Sequence, residues 1–160
     1  MSRLDSFIRR LSAQRDILNH VRGNLDLPLQ GPILEVGLGN GRTFNHLREL
    51  FPGRQIIAFD RAMGAHASSV PEPGDFIVGE IAETAQQFVG CGAALVHADI
   101  GTGYPDKDAV TLTWLPRLVV ELLAPGGLAI SGLPLEQAGL IPLDLPLTVD
   151  QDRYFLYRKE

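Results

Sequence analysis

At 160 residues, 45% hydrophobic and 21% charged, the chain reads as one ordinary globular domain over 1–160, able to bury a core without disulfides or a structural metal. Its net charge of −5 argues against a broad phosphate-binding surface, so nucleic acid is not an expected partner. No uncharged apolar run reaches the roughly 18 residues that a membrane span needs, so no membrane partner is expected either.

The first predicted element, over residues 1–24, is an amphipathic helix in which Leu4, Phe7, Ile8, Leu11, Ile17, Leu18 and Val21 recur near helical spacing. Arg3, Asp5, Arg9 and Arg10 interrupt it, unlike a secretory leader, and the arginines read as a solvated face. Its apolar stripe has two expected uses: covering a ligand pocket, and joining copies of the chain in a homo-oligomer. Gly23 and Pro28 end the helix. After Pro32, Ile33-Leu34-Glu35-Val36 reads as a short buried strand, followed at once by a glycine loop from Gly37 to Gly41. Thr43, Phe44, Leu47, Leu50 and Phe51 give the next helix its buried side, Pro52 and Gly53 stop it, and residues 55–59 form a second strand. The alternation continues with a strand over 76–78, a helix over 81–89 and a strand over 93–96. Cys91, the only cysteine, can form no internal disulfide and has no companions at zinc-like spacing, so it is expected to be a small buried side chain in a protein of the reducing cytoplasm. Pro116 opens another helix with Leu118, Val119, Leu122 and Leu123 inward, and Pro125-Gly126-Gly127 ends it before a fifth strand over 128–131.

Strands separated by helices imply right-handed β-α-β crossovers. The expected fold is therefore α/β: a doubly wound, mostly parallel Rossmann-like sheet with helices on both faces, its cofactor-binding core in residues 32–131. Beyond Ser131 the prolines Pro134, Pro142 and Pro146 break the chain into extended pieces, and residues 153–158 alternate like an edge strand. Residues 132–160 are expected to close as a terminal antiparallel hairpin region.

Ligands of open α/β sheets bind beyond the carboxyl ends of the strands, which is where the Gly37–Gly41 loop falls. Its glycines permit close backbone approach, and the helix that follows opens with free N–H donors. Asp60 lies at the end of the second strand, where a carboxylate can accept both hydroxyl protons of a ribose. A dinucleotide fingerprint would carry its third glycine where Arg42 stands; here that glycine comes one residue early.

The stretch Leu34-Glu35-Val36-Gly37-Leu38-Gly39-Asn40-Gly41 resembles the first motif of class I S-adenosylmethionine-dependent methyltransferases, an acid two residues before Gly-x-Gly-x-Gly. Leu123-Ala124-Pro125-Gly126-Gly127 is similar to that family's turn before the fifth strand, and the resemblance spans roughly residues 32–131. It implies S-adenosyl-L-methionine as cofactor, held by Glu35, Gly37, Leu38, Gly39, Asn40, Gly41, Asp60, Arg61, Glu80, Ile81 and Asp99, the last beside the methyl-transfer site. It further implies methyl transfer to a small-molecule acceptor. Asp99 and His97 are the candidate catalytic residues, as a carboxylate and an imidazole able to take an acceptor proton. Tyr104 lies close behind them, and Trp114 and Phe44 are candidates for lining an acceptor pocket. The chain lacks an Asn/Asp-Pro-Pro-Tyr/Phe motif, which disfavours the family's amino-methylating nucleic-acid branch. Asp106 and Asp108 follow Asp99, but loop acids more often make turns or caps, and Asp108 is placed to cap the segment after it; no metal is expected. A non-catalytic S-adenosylmethionine-binding module and a nicotinamide-dependent oxidoreductase are the alternative readings.

Overall fold

The computed structural model describes residues 1–160. The first helix, α1 (Arg3–Asn24), starts at Ser2, whose hydroxyl accepts from the Asp5 N–H while the Asp5 carboxylate accepts from the Ser2 N–H, satisfying two otherwise free donors of the helix end. Strand β1 (Ile33–Val36) leads through the glycine loop into α2 (Arg42–Leu50), then β2 (Ile56–Asp60). Next come β3 (Phe76–Val78), α3 (Ile81–Thr84) and β4 (Ala93–Ala98). The chain then forms α4 (Pro105–Thr111), α5 (Leu115–Leu122), β5 (Leu123–Ser131), β6 (Leu140–Pro142) and β7 (Phe155–Lys159).

The strands make one seven-stranded sheet in the order β3-β2-β1-β4-β5-β7-β6. β1 to β5 pair in parallel, and β7 runs antiparallel to both β5 and β6. The expected doubly wound sheet with a terminal antiparallel pair is what the chain forms. Order reverses between β1 and β4, which opens a crevice beyond their carboxyl ends.

Alternate side chains of the strands feed two cores. Leu34, Val36, Phe59, Val96 and Ala129 meet Leu118, Val119 and Leu122 of α5 on one face. Ile33, Ala58, Leu95, Leu128 and Ile130 meet Ile17, Leu18 and Val21 of α1 and Phe44 and Leu47 of α2 on the other. Central parallel strands covered on both sides read as continuous apolar runs, which is why β1 and β4 are buried throughout.

Several details differ from expectation. β7 is not an edge strand; it is inserted between β5 and β6, and the edge is the three-residue β6, where Pro142 deprives no interior neighbour of a donor. The helix expected over 81–89 is one α-turn followed by a 3₁₀ turn over Ala85–Phe88. β5 starts at Leu123 and carries Pro125-Gly126-Gly127 within it, at a shift of register between Ala93 and Leu95 of β4. Cys91 is exposed rather than buried, because it lies in the turn before β4.

Candidate active site

The glycine loop leaves β1 beside β2, and the N–H groups of Gly37 and Leu38 both donate to the Phe59 carbonyl. Its three glycines do different work. A Cβ on Gly37 (φ +96°) would stand 2.5 Å from Ile100 Cγ2, and one on Gly41 (φ +88°) 2.7 Å from Ser69 Cβ, so those two allow close packing behind the loop. A Cβ on Gly39 (φ +54°) would meet nothing within 4 Å; it would project into open space. Leu38 is buried in the α1/α2 core, so it offers the crevice only its backbone. Asn40 is exposed, and its carbonyl accepts from the His66 N–H.

Asp60, last residue of β2, reaches this loop directly. One carboxylate oxygen accepts from the Gly39 N–H at 2.8 Å and the other from the Arg61 N–H at 2.7 Å. Arg61 in turn forms an exposed ion pair with Glu80, 3.2 Å apart, and Ile81 follows, half-buried against the α5-side core. Asp60, and through Arg61 also Glu80, are therefore linked to the loop. Beside the loop lies a crevice of about 150 Å³, walled by the loop itself, by Phe7, Arg10, Leu11 and Gln14 of α1 and by Asp99. The first helix thus covers this part of the crevice, while Leu4, Phe7 and Ile8 remain largely exposed.

Asp99 follows β4, and one of its oxygens, Oδ2, accepts from the Gln14 amide at 2.5 Å and from the Tyr154 hydroxyl at 3.0 Å. No protein donor reaches Oδ1, against which a Cβ on Gly132 would collide at 2.7 Å. Burial, then the Asp99 charge, push the Tyr154 phenol well above its usual range, so it stays a donor. Neither Gln14 nor Tyr154 is suggested by local sequence, since they lie 85 and 55 residues from Asp99. Only a fold that brings both chain ends to β4 joins them.

Glu35 and His97 are elsewhere. Cross-strand neighbours on β1 and β4, they are 0% and 1% exposed. Glu35 accepts from the Thr43 hydroxyl at 2.9 Å and pairs with His97 Nδ1 at 2.5 Å, so it braces the loop from behind instead of facing the crevice. His97 is likewise too deep to touch an acceptor; its Nε2 is buried without a partner. Burial disfavours its charged form, but the Glu35 carboxylate, their hydrogen bond and the Asp99 charge outweigh that and hold its pKa above the usual value. Phe44 and Trp114 pack against the two cores rather than lining the crevice. Asp108 does not cap a following segment: from inside α4 its carboxylate accepts from the Thr102 N–H and hydroxyl and the Gly103 N–H, tying down the preceding loop. No three His, Cys, Asp or Glu side chains converge as metal ligands would.

Two expectations follow from this geometry. Gly37→Ala combines overpacking with backbone strain and should cost about 2–5 kcal/mol of stability, against about 1–2 kcal/mol for Gly39→Ala, which meets strain alone. Urea denaturation separates them, and equal losses would contradict the assignment. A raised His97 pKa means that the folded state holds the proton more tightly than the unfolded chain. Its contribution is complete below about pH 6.5 and is lost as pH rises through the folded value. Wild type should therefore lose stability relative to His97→Asn, which keeps a donor for Glu35 but cannot titrate, as pH is raised above about 6.5; parallel curves would contradict it.

A family model described as S-adenosyl-L-methionine methyltransferase matches residues 1–159. The S-adenosyl-L-methionine methyl transferase of Silicibacter pomeroyi DSS-3 is 39% identical, with a TM-score of 0.86 over 99% of each chain. TrmN from Thermus thermophilus shares the fold at 16% identity and a TM-score of 0.62, over 81% of this chain and 44% of that one. So does the plantazolicin methyltransferase BamL, solved with a triazolic desmethylPZN analog and SAH, at 20% identity and a TM-score of 0.52, over 79% of this chain and 47% of that one. No curated protein matches significantly. With the family model and a solved relative both covering almost the whole length, the chain belongs to the S-adenosyl-L-methionine methyltransferase family, and its cofactor is S-adenosylmethionine rather than a nicotinamide dinucleotide.

Proposed function

We propose that the crevice beyond β1 and β4 transfers the methyl group of S-adenosylmethionine to a small-molecule acceptor. The observation that carries this reading is the Asp60 carboxylate bonded to the Gly39 amide, a strand-end acid beside the open face of the glycine loop, which supports a ribose contact there. The residues present fit the cofactor. Backbone of Gly37, Leu38, Gly39, Asn40 and Gly41 forms the floor beneath the nucleoside and amino-acid portion. Asp60 would take the ribose hydroxyls, and Arg61, paired with Glu80, would hold the adenine end together with Glu80 and Ile81. Arg10 and Arg42 line the crevice and offer countercharge to a carboxylate. Glu35 serves the site through Thr43, by fixing the start of α2.

Bound S-adenosylmethionine supplies a methyl group on a sulfonium, open to in-line displacement by a nucleophile, so alignment does much of the work. Asp99 faces the acceptor. With Oδ2 held by Gln14 and Tyr154, its carboxylate is fixed in direction, and Oδ1 is left to orient the acceptor or take its proton. His97 acts as a positioning partner of Glu35, not as a base. The net charge of −5 supports an acceptor other than nucleic acid, no helix is long and apolar enough to cross a membrane, and the single cysteine supports a cytoplasmic setting. The exposed Leu4, Phe7 and Ile8 of α1 support self-association.

Two substitutions divide the site. Asp60→Ala should weaken S-adenosylmethionine by about tenfold or more in calorimetry, the cost of losing a charged hydrogen bond. Asp99→Asn should leave that affinity within about twofold yet lower kcat by about 10²-fold with any acceptor that is turned over. Unchanged affinity in the first would move the ribose elsewhere; intact turnover in the second would make Asp99 structural.

A further inference from the structure

A second cavity is larger than the crevice. It lies where residues 132–139, β6, the loop that follows it and the start of β7 come together at the carboxyl edge of the sheet, and it encloses about 430 Å³, within the range of small-molecule sites. Its walls are mainly apolar, with Leu135, Leu140, Leu143, Leu145 and Phe155 among them. The two ends of this wall are held in place: the Leu135 N–H donates to the Tyr157 hydroxyl at 2.8 Å, and the Leu143 N–H donates to the Leu156 carbonyl at 2.8 Å. A cavity with fixed walls costs a ligand little ordering.

The charge on the lining is of one sign. Glu136 and Asp144 line the cavity, and no lysine, arginine or histidine does. The cations of β7 are committed elsewhere, Arg158 to the carbonyls of Gly126 and Asp26 and Lys159 to those of Val120 and Leu123. An apolar anion would meet two carboxylates without countercharge, whereas a protonated amine on an apolar body gains both burial and charge complementarity.

One hydrogen bond links the two cavities. Tyr154 lines this one, while its hydroxyl donates to Asp99, which lines the cofactor crevice. Occupancy here bears on the orientation of the carboxylate that faces the acceptor. We infer that the cavity beneath the terminal hairpin binds a small apolar molecule carrying a protonated amine, and that this is the chemical class of the acceptor; the second clause rests on the methyl-transfer reading above.

Three fluorescent probes with the same apolar body test it: dansylcadaverine, its N-acetyl derivative and the corresponding dansyl-aminohexanoate. Dansylcadaverine should bind saturably and about tenfold or more tightly than the neutral and anionic probes. Glu136 and Asp144 are exposed, so Glu136→Gln with Asp144→Asn should leave the melting temperature unchanged. The double variant should abolish the preference for the amine while sparing the neutral probe. Equal binding of all three probes, no saturable binding, or an unchanged preference in the double variant overturns the amine site. Calorimetry with S-adenosylmethionine on the same protein separates the two readings. Normal cofactor affinity without probe preference sinks the amine site alone, and absent cofactor affinity sinks the methyl-transfer reading beneath it.

Discussion

A carboxylate buried in the centre of a sheet has to be paired, and the way Glu35 meets that requirement sets the geometry of everything around the crevice. Its oxygens are spent on Thr43 and His97, so β1 is tied to β4 on one side and to the first turn of α2 on the other. Residues 35 and 43 bracket the glycine loop. The bond between them fixes where the loop leaves the sheet and where it re-enters regular structure, and a hydrogen bond to a charged group is worth about 1.5–3 kcal/mol. The loop itself contains little that could hold its own shape. Its rigidity comes from this brace, from Phe59 accepting two of its amides, and from the packing of Ile100 and Ser69 against glycines that have no side chain.

With the loop held from behind, the crevice is free to be lined by groups from distant parts of the chain. The glycine loop, itself bonded to Asp60, lines it on one side, and α1 and Asp99 on the other. The two chain ends converge on Asp99: Gln14 from the first helix and Tyr154 from the last hairpin donate to the same oxygen. On the proposed reading this divides the site into a nucleoside half built by the early strands and an acceptor half assembled from the termini. The second half is where members of a fold family can differ without disturbing cofactor binding.

Much of this was legible in the chain. The period of apolar residues, the prolines and glycines between them, and the placement of Asp60 after the second strand led to the sheet and to the loop, because these are local signals. Glu35 stood out as the acid before the glycine loop, but its contacts with Thr43 and His97 were not legible; its burial follows from β1 being covered on both faces, which depends on α1 packing from outside the local window. His97 looked like a base for the same reason, since a strand-end histidine gives no sign of which face it points to. Gln14 and Tyr154 carried no signal because their roles exist only across 85 and 55 residues of chain. The position of β7 inside the sheet was hidden because alternation reports a strand but not its neighbours.

The account stands on the nucleoside lying where Asp60 meets Gly39. Titrating S-adenosylhomocysteine into isotope-labelled protein, and following the backbone amide resonances, tests this most directly. The account predicts the largest changes at Gly39, Asp60, Arg61 and Ile81, with β6 and β7 little affected. A Gly39 amide that does not move while the ligand binds elsewhere would contradict it.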